Sequence, residues 1–361
     1  MSFTFLFDNE VEALAKNNIV PKLADQVGDV SPLMGALIGD GNTNFFGNKP
    51  AAKLQFTGGA KIEKVVRMAH LSAAGSHAGH KTVLVDPNRT HNNAIQEFKR
   101  YYASISVTLE EAAGVRGPEA KVNLLETKIS EAVATIKDKM ANGIYNADDI
   151  DLSGTEIDGF NGVGQLCGQR GTLISTDAAG NTGGIDRSWM GINSTLNTYW
   201  DSAYDAVAHA SADLDDSGHP TSYIQDIIRT LIRSVQLSGV KPTHIYTTQA
   251  IYNVLEQTML VNQRFNTGKM GDLGFEHLTF EGIPVMWDNF CPDYAIYVLN
   301  LGQINGQQSM GIMARKGHWF NMTPWKQSTN SLVMVRQIYA DANLYCDAPR
   351  YQGAAIDVGR V

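Results

Sequence analysis

Between Tyr101 and Thr108 apolar and polar side chains alternate: Tyr101, Ala103, Ile105 and Val107 on one side, Tyr102, Ser104, Ser106 and Thr108 on the other. A period of two predicts a half-buried strand, with one face on a core and one in water. Further on the period changes. Val122, Leu125, Ile129, Val133, Ile136 and Met140 recur at steps of three and four, after Pro118, which suits a first helical position, and before Asn142-Gly143, which ends the run. The spacing predicts a helix over 118–142, about 37 Å long at about 1.5 Å per residue, with Lys121, Glu131, Lys137 and Asp138 left to water. Its one-sided stripe is read as facing a core. Thr108 and Glu111 between strand and helix form a capping box, which predicts a short helical turn running to Gly114.

Downstream, the stretch from Ile144 to Asp186 is acidic and glycine-rich, with short β-prone pieces such as Gly171–Ser175. A second αβ region follows. Ser222 is placed to cap a helix carrying Ile224, Ile227, Ile228, Leu231 and Val235, which stops at Ser238-Gly239. A strand at His244–Thr247 and a helix with Ile251, Val254 and Leu255, opened by Thr248, come next. Three β segments, Leu278–Phe280, Ile283–Met286 and Ala295–Leu299, are parted by Gly282 and by Cys291-Pro-Asp293, and a returning strand at Ser331–Ile338 precedes a polar end. Upstream, the first fifty residues are poorly periodic and close on Gly39, Gly41, Asn42, Asn44, Gly47, Asn48 and Pro50. They read as an arm that builds little core. Lys61–Met68 and Lys81–Val85 are β-prone and enclose the small, polar Ser72–His80, which predicts a long hairpin. Its charged strands, thin in apolar alternation, are expected to bury no face within their own chain and to need another surface.

With 361 residues, 43% of them hydrophobic and 18% charged, the chain has room for two or three packed units. It has no run of eighteen apolar residues, and no basic residue precedes Phe3, Phe5, Leu6 and Phe7. Neither a membrane span nor a secretory signal is expected. Cys167, Cys291 and Cys346 are odd in number, widely spaced and outside any CxxC, so they read as buried thiols in a reducing compartment. A net charge of −8 argues against a simple nucleic-acid binder.

Charge is unevenly placed, however. Residues 51–100 carry eight basic side chains against three acidic ones, a net of +5, whereas 141–220 carry twelve acidic against two basic, a net of −10. Either the two are solvated surfaces of opposite sign, or one segment of each chain lies against the other segment of a neighbouring copy, where complementary potentials fix register. On the second reading the contact candidates are Lys61, Lys64, Arg67 and Lys81 on the basic side and Asp148, Asp149 and Asp151 on the acidic side.

Residues for chemistry are not found. Asp213-x-Asp215-x-Ser217-Gly218 and Asp149-x-Asp151-x-Ser153-Gly154 begin like calcium loops, but their twelfth positions are Ile224 and Phe160, where a bidentate glutamate is required. His77 and His80 have no third ligand near in sequence. Nucleophile elbows, zinc helices, phosphate loops and dinucleotide fingerprints are all lacking. No catalytic, metal or cofactor residue is named, and the chain is read as not an enzyme.

The order of parts is itself informative: arm, basic hairpin, strand, long lone helix, acidic region, αβ region, returning strand. Gly183–Arg187 with Trp189, Pro242–Thr248, Arg264-Phe265, Leu273–Asp288, Tyr294–Asn300 and Asn343–Arg350 with Gly353 stand in that order over about residues 50 to 355. In this the chain resembles the major capsid proteins of tailed bacteriophages, the Hong Kong 97-type fold. The resemblance implies an α+β subunit with an N-terminal arm (1–50), an extended hairpin loop (51–95), and a peripheral domain (96–187) with its spine helix at 118–142. It further implies an axial domain (188–315) and a return to the peripheral domain (316–361). It implies pentamers and hexamers closing an icosahedral shell around double-stranded DNA without sequence specificity, in a virion assembled in the host cytoplasm. Portal, scaffolding and decoration proteins are the partners it brings with it. Only about fifty residues precede the hairpin, so a separate scaffolding protein, or none, is expected. The rivals are an encapsulin-like nanocompartment shell of the same fold, and a soluble two-domain enzyme.

Overall fold

The computed structural model describes residues 31–38, 54–70, 76, 79–80, 90–108, 118–145, 159–167, 188–193, 197–205, 223–258, 278–304, 306–327, 333–355 and 358. Helix α1 (Pro32–Ile38) buries Leu33, Met34 and Leu37 completely. The segment read as building little core therefore supplies part of one. Seven residues are too few for a helical period to show in the sequence. After β1 (Gln55–Thr57), strands β2 (Lys61–Arg67) and β3 (His91–Glu97) pair antiparallel, with Lys61 opposite Glu97 and Arg67 opposite His91. A hairpin base is present, returning on 91–97; Lys81–Val85 lies outside the described residues. Contrary to expectation, this hairpin has a face on its own chain, since Ile62, Val66, Ala94 and Gln96 are all buried. Alternation that is thin in each strand alone becomes one inward side once the two are in register.

Strand β4 (Lys99–Thr108) keeps its predicted alternation, with Tyr101, Ile105 and Val107 buried and Tyr102 exposed. Thr108–Gly114, read as a capping box and turn, lies outside the described residues beyond Thr108. Helix α2 (Pro118–Gly143) spans the predicted run and buries Ile129, Val133, Ile136 and Met140. Lys137, expected in water, is buried too. It lies four residues after Val133 and three before Met140, on the flank of the stripe, where its methylene stem is covered. Gly143 ends the helix where a Cβ would stand 2.7 Å from the Tyr101 hydroxyl and 3.3 Å from the Phe160 nitrogen. A short α3 (Val163–Leu166), all four residues buried, was not legible in the acidic region. The small pair β5 (Ser188–Trp189) and β6 (Ile192–Asn193) precedes β7 (Ala203–Asp205).

From here the periodicity is a good guide. Helix α4 (Tyr223–Val235), β8 (His244–Thr247), α5 (Gln249–Thr258), β9 (Leu278–Phe280), β10 (Ile283–Trp287) and β11 (Ile296–Leu299) lie where it puts them. Glu281 and Gly282, at φ of 50° and 81°, close a two-residue hairpin between β9 and β10. Then come β12 (Gln303–Ile304), β13 (Gln307–Gln308), β14 (Met310–Arg315), β15 (Asn321–Met322), β16 (Lys326–Gln327), β17 (Val333–Cys346) and β18 (Gly353–Ala355).

Two sheets organise these strands, and the architecture is α+β. In the first, β17 is the hub: it pairs with β4 from Val333 to Ala342, with β14 from Ala342 to Cys346, and with β15 and β16, while β1 runs parallel to β14. The inward face of β4 packs on α2. The periodicity predicts β17 to end at Ile338, but it continues to Cys346 because its polar residues find partners in neighbouring segments: Asp341 in β4, Asn343 in β3 and at Asn161. Asn343 donates to Glu97 O and Asn161 Oδ1, both at 2.7 Å, and its Oδ1 accepts from Asn161 N at 3.0 Å. The second sheet has the order β7-β18-β11-β8-β10-β9. It shares a core with α4 and α5, made of Ile224, Ile227, Ile228, Leu231, Ile245, Leu255, Val285, Ile296 and Val298. The two units interleave along the chain. β14, within the stretch 188–315 read as axial, belongs to the first sheet, and β18, within the tail 316–361 read as peripheral, belongs to the second. Strand pairing, invisible to a linear division, decides the membership.

Candidate functional site

The root of the hairpin and the adjoining edge of the first sheet carry a cluster of paired charges. Register puts Asp341 of β17 opposite Arg100 of β4. The Arg100 guanidinium grips the Asp341 carboxylate through Nε and Nη2 at 2.6 and 2.7 Å, a bidentate geometry that only arginine offers. The Asp341 side chain is 3% exposed, and its bond raises the Arg100 pKa above its ordinary value. His318 Nδ1 at 3.4 Å and Arg315 Nη1 at 3.7 Å also face this carboxylate. Beside it, Lys61 and Glu97 meet across the open end of the hairpin at 2.7 Å. Hydrogen bonding and attraction within that exposed pair raise the lysine pKa and lower the glutamate's. Lys61, Glu97, Phe98, Arg100, Arg315 and Asp341, with Ala60, line a cleft of about 310 Å³.

On the inward side of the hairpin Lys64 reaches Asp347 at 3.5 Å and lies 4.6 Å from the centre of the Tyr345 ring. Burial raises the Asp347 pKa, and Lys64 opposes that shift. Arg67 faces out, its Nε donating to Ala69 O at 3.4 Å and its Nη2 3.5 Å from His70 Nδ1. Arg67, His70, Tyr199 and Arg350 are among the residues lining a second groove of about 410 Å³, where the Arg350 guanidinium lies 5.5 Å from the Tyr199 ring centre. Val65 and Ile95, 74% and 40% exposed, put apolar surface on the outer face of the same hairpin.

Of the contact candidates read from the sequence, Lys61, Lys64 and Arg67 are strung along β2, with Lys61 at the open end of the hairpin, Lys64 midway and Arg67 at the other end opposite His91, and the first two already hold carboxylates of their own chain. Lys81, Asp148, Asp149 and Asp151 lie outside the described residues. Arg100 is one of the eight basic residues of 51–100, and nothing in the sequence pattern singles out it, Arg315 or Asp341. The useful signal is a polar residue inside a strand, such as Asp341 in β17, which demands a partner across the sheet. Cys167, Cys291 and Cys346 are buried free thiols whose pKa values burial pushes up. Among the described residues no group of three His, Cys, Asp or Glu is placed to hold a metal, and no helix is long and apolar enough to cross a membrane.

Neither a protein-family model nor a curated protein sequence matches the chain. Solved structures do. The capsid asymmetric unit of cyanophage A-1(L) superposes with a TM-score of 0.56 at 16% identity, covering 85% of this chain and 90% of that one. Capsid subunits of an empty and a native GTA particle superpose with TM-scores of 0.51 and 0.50 at 12% and 11% identity. Each pairing covers 89% of this chain, with 93% of the empty-particle subunit and 92% of the native one. The chain has the fold of these capsid subunits.

Proposed function

We propose that the chain is the major capsid protein of a tailed double-stranded DNA bacteriophage and self-assembles into its icosahedral head shell. The observation that carries this is the extent of the likeness, which takes in nine-tenths of the cyanophage capsid chain and so both sheets at once. On this reading, residues 1–50 act as an arm and 51–95 as a hairpin reaching across a neighbouring subunit. Helix α2 is the spine of a peripheral domain built on the first sheet, and the second sheet with α4 and α5 is the axial domain, grouped around five- and sixfold positions. Catalysis has no part in it. One surface meets many similar surfaces of its copies, and repeated heterologous contacts close into a shell when the rotation closes. DNA is enclosed without base reading, so a net charge of −8 is no obstacle. A basic hairpin and an acidic 141–220 stretch supply complementary potentials between copies.

The test is negative-stain electron microscopy of the protein expressed alone, beside its size-exclusion profile and a nucleic-acid assay of the particles. Uniform particles hundreds of ångströms across, or rings of five and six subunits, are expected. A compact monomer at every concentration, with and without a scaffolding partner from the same gene neighbourhood, overturns the reading. Particles filled with a protein cargo and free of nucleic acid replace it with a nanocompartment.

A further inference from the structure

The second groove, of about 410 Å³, is walled by separate parts of the chain, among them the end of β2, the turn at Tyr199 and the turn at Arg350. Side chains from these three touch in a row. Arg67 Nη2 lies 3.5 Å from His70 Nδ1, the His70 and Tyr199 rings meet edge to face at 5.9 Å, and the Arg350 guanidinium lies 5.5 Å from the Tyr199 ring centre. Arg67, His70 and Arg350 are exposed, and Tyr199 is 48% exposed. The groove is therefore basic, with an aromatic ring between its two guanidiniums. Among the described residues neither arginine is in ion-pair range of a carboxylate. Asp347 in the same lining has a side chain only 12% exposed, and it faces Lys64 at 3.5 Å. Its charge is answered within the wall and leaves the arginines in excess.

We propose that this groove binds the phosphodiester backbone of nucleic acid, with Arg67 and Arg350 each holding a phosphate and Tyr199 supporting the strand between them. The inference rests on the shell reading, which supplies the nucleic acid, and adds to it the site that meets the ligand. A guanidinium presents a planar fork that fits phosphate oxygens, and stacking on an aromatic ring, as Arg350 stacks on Tyr199, holds that fork in place. Cations interleaved with an exposed ring suit a sugar-phosphate strand in both its parts, charge for the phosphates and a flat apolar face for a sugar or an unstacked base. An acidic peptide would use the arginines and leave the ring idle. Contacts of this kind fix position without reading sequence. In a chain of net charge −8 they also put the attraction for a polyanion into a local patch, where a field of the opposite sign can persist.

Fluorescence anisotropy of a labelled oligothymidine, and of its duplex with oligoadenine, titrated with the full-length unassembled protein over a range of salt, tests this. Arg67→Gln and Arg350→Gln are each expected to weaken binding about tenfold and to lower the slope of log K against log salt by about one. Tyr199→Leu separates the two sources of the backbone. A single strand that binds about fivefold more weakly to this variant lays its bases on the ring, whereas a duplex that binds it as it binds wild type is held by its phosphates alone; either result supports the site. Failure of the wild-type protein to bind either oligonucleotide overturns the proposal, as do wild-type affinity and salt slope in both glutamine variants. Polyglutamate displacing the label as well as unlabelled oligonucleotide does at equal charge assigns the groove to an acidic protein and overturns it too. Should a glutamine variant lose the wild-type near-ultraviolet circular dichroism, the lysine variant at that position is used. It keeps the charge and loses the fork, so the salt slope is expected to stay while affinity falls, and an unchanged affinity overturns the proposal. Absence of particles from a protein that still holds oligonucleotide through Arg67 and Arg350 defeats the shell reading alone, whereas particles built of subunits indifferent to those changes defeat this inference alone.

Discussion

Asp288 and Asp341 are both buried carboxylates, and the chain satisfies them by opposite means. Asp341 is gripped by an arginine. Asp288, just after β10, instead accepts from the Ser31 hydroxyl, from the Tyr145 hydroxyl at 3.0 Å and from the Phe290 nitrogen at 3.0 Å. That trio ties the start of α1, the end of α2 and the second sheet to one atom group, and burial, reinforced by the Asp288 charge, pushes the Tyr145 pKa well up. A neutral group shows the same solvent exclusion more simply. His244 in β8 stacks 6.0 Å from Tyr246 with its Nδ1 2.8 Å from Thr243 Oγ1, and burial lowers its pKa from 6.5 to about 4. The unfolded chain takes up a proton there that the folded chain refuses. Its contribution to stability is therefore complete above pH 6.5 and is lost as the pH falls towards 4, on the order of 3 kcal/mol in all. Urea midpoints measured across that window should fall more steeply for wild type than for His244→Leu, and parallel slopes would assign the acid sensitivity elsewhere.

At the scale of elements, the contacts that matter are close approaches that sequence pattern alone does not announce. Gly143 is one. An added methyl would meet the Tyr101 hydroxyl at 2.7 Å, and that hydroxyl is held by the Phe160 nitrogen, so neither side can yield freely. Gly143→Ala is expected to destabilise by about 1–3 kcal/mol, and pairing it with Tyr101→Phe, which removes the clashing oxygen, should recover part of the loss in thermal unfolding. Elements with a long or strict period were legible in the sequence: α2, β4, α4 and the run from β8 to β11. Those that were not legible have physical reasons. Helix α1 is too short for a period, and the hairpin's inward face exists only in register. The second half of β17 reads as polar because Asp341 and Asn343 find their partners in other strands. The charge count pointed to residues 51–100 as a whole, but that Lys61 and Lys64 already hold Glu97 and Asp347 of their own chain is a fact of three dimensions.

At the scale of the molecule, the two sheets are stitched together by the order of their strands. The chain leaves the first sheet after β1, returns for β4, builds most of the second from β7 to β11, and goes back for β14 and β17 before β18 closes the second. Neither core can be lost while the other stays intact, so unfolding is expected in one transition. Ile228→Ala, in the core of the second sheet, removes a fully buried side chain at a cost of about 2–5 kcal/mol. It should shift the urea midpoint of tryptophan fluorescence, with Trp189 and Trp200 in the first core, as far as that of far-ultraviolet circular dichroism. Two separated transitions would show instead that the sheets are independent.

The placement of β17 and β18 also bears on how the chain leaves the ribosome. Strand β17 is the hub of one sheet, and β18 sits in the interior of the other, between β7 and β11. Gly353 is held so tightly there that a Cβ would stand 2.8 Å from Val235 Cγ2. The first sheet cannot be completed until synthesis has passed residue 346, nor the second until it has passed residue 355, and strands as early as β1 and β4 must wait for partners hundreds of residues behind them. Such non-local pairing folds slowly and leaves unpaired edges exposed meanwhile. On the shell reading proposed above the delay is a safeguard: a nascent chain on a crowded polysome has no finished surface with which to join its neighbours, so the order of translation keeps association for completed subunits.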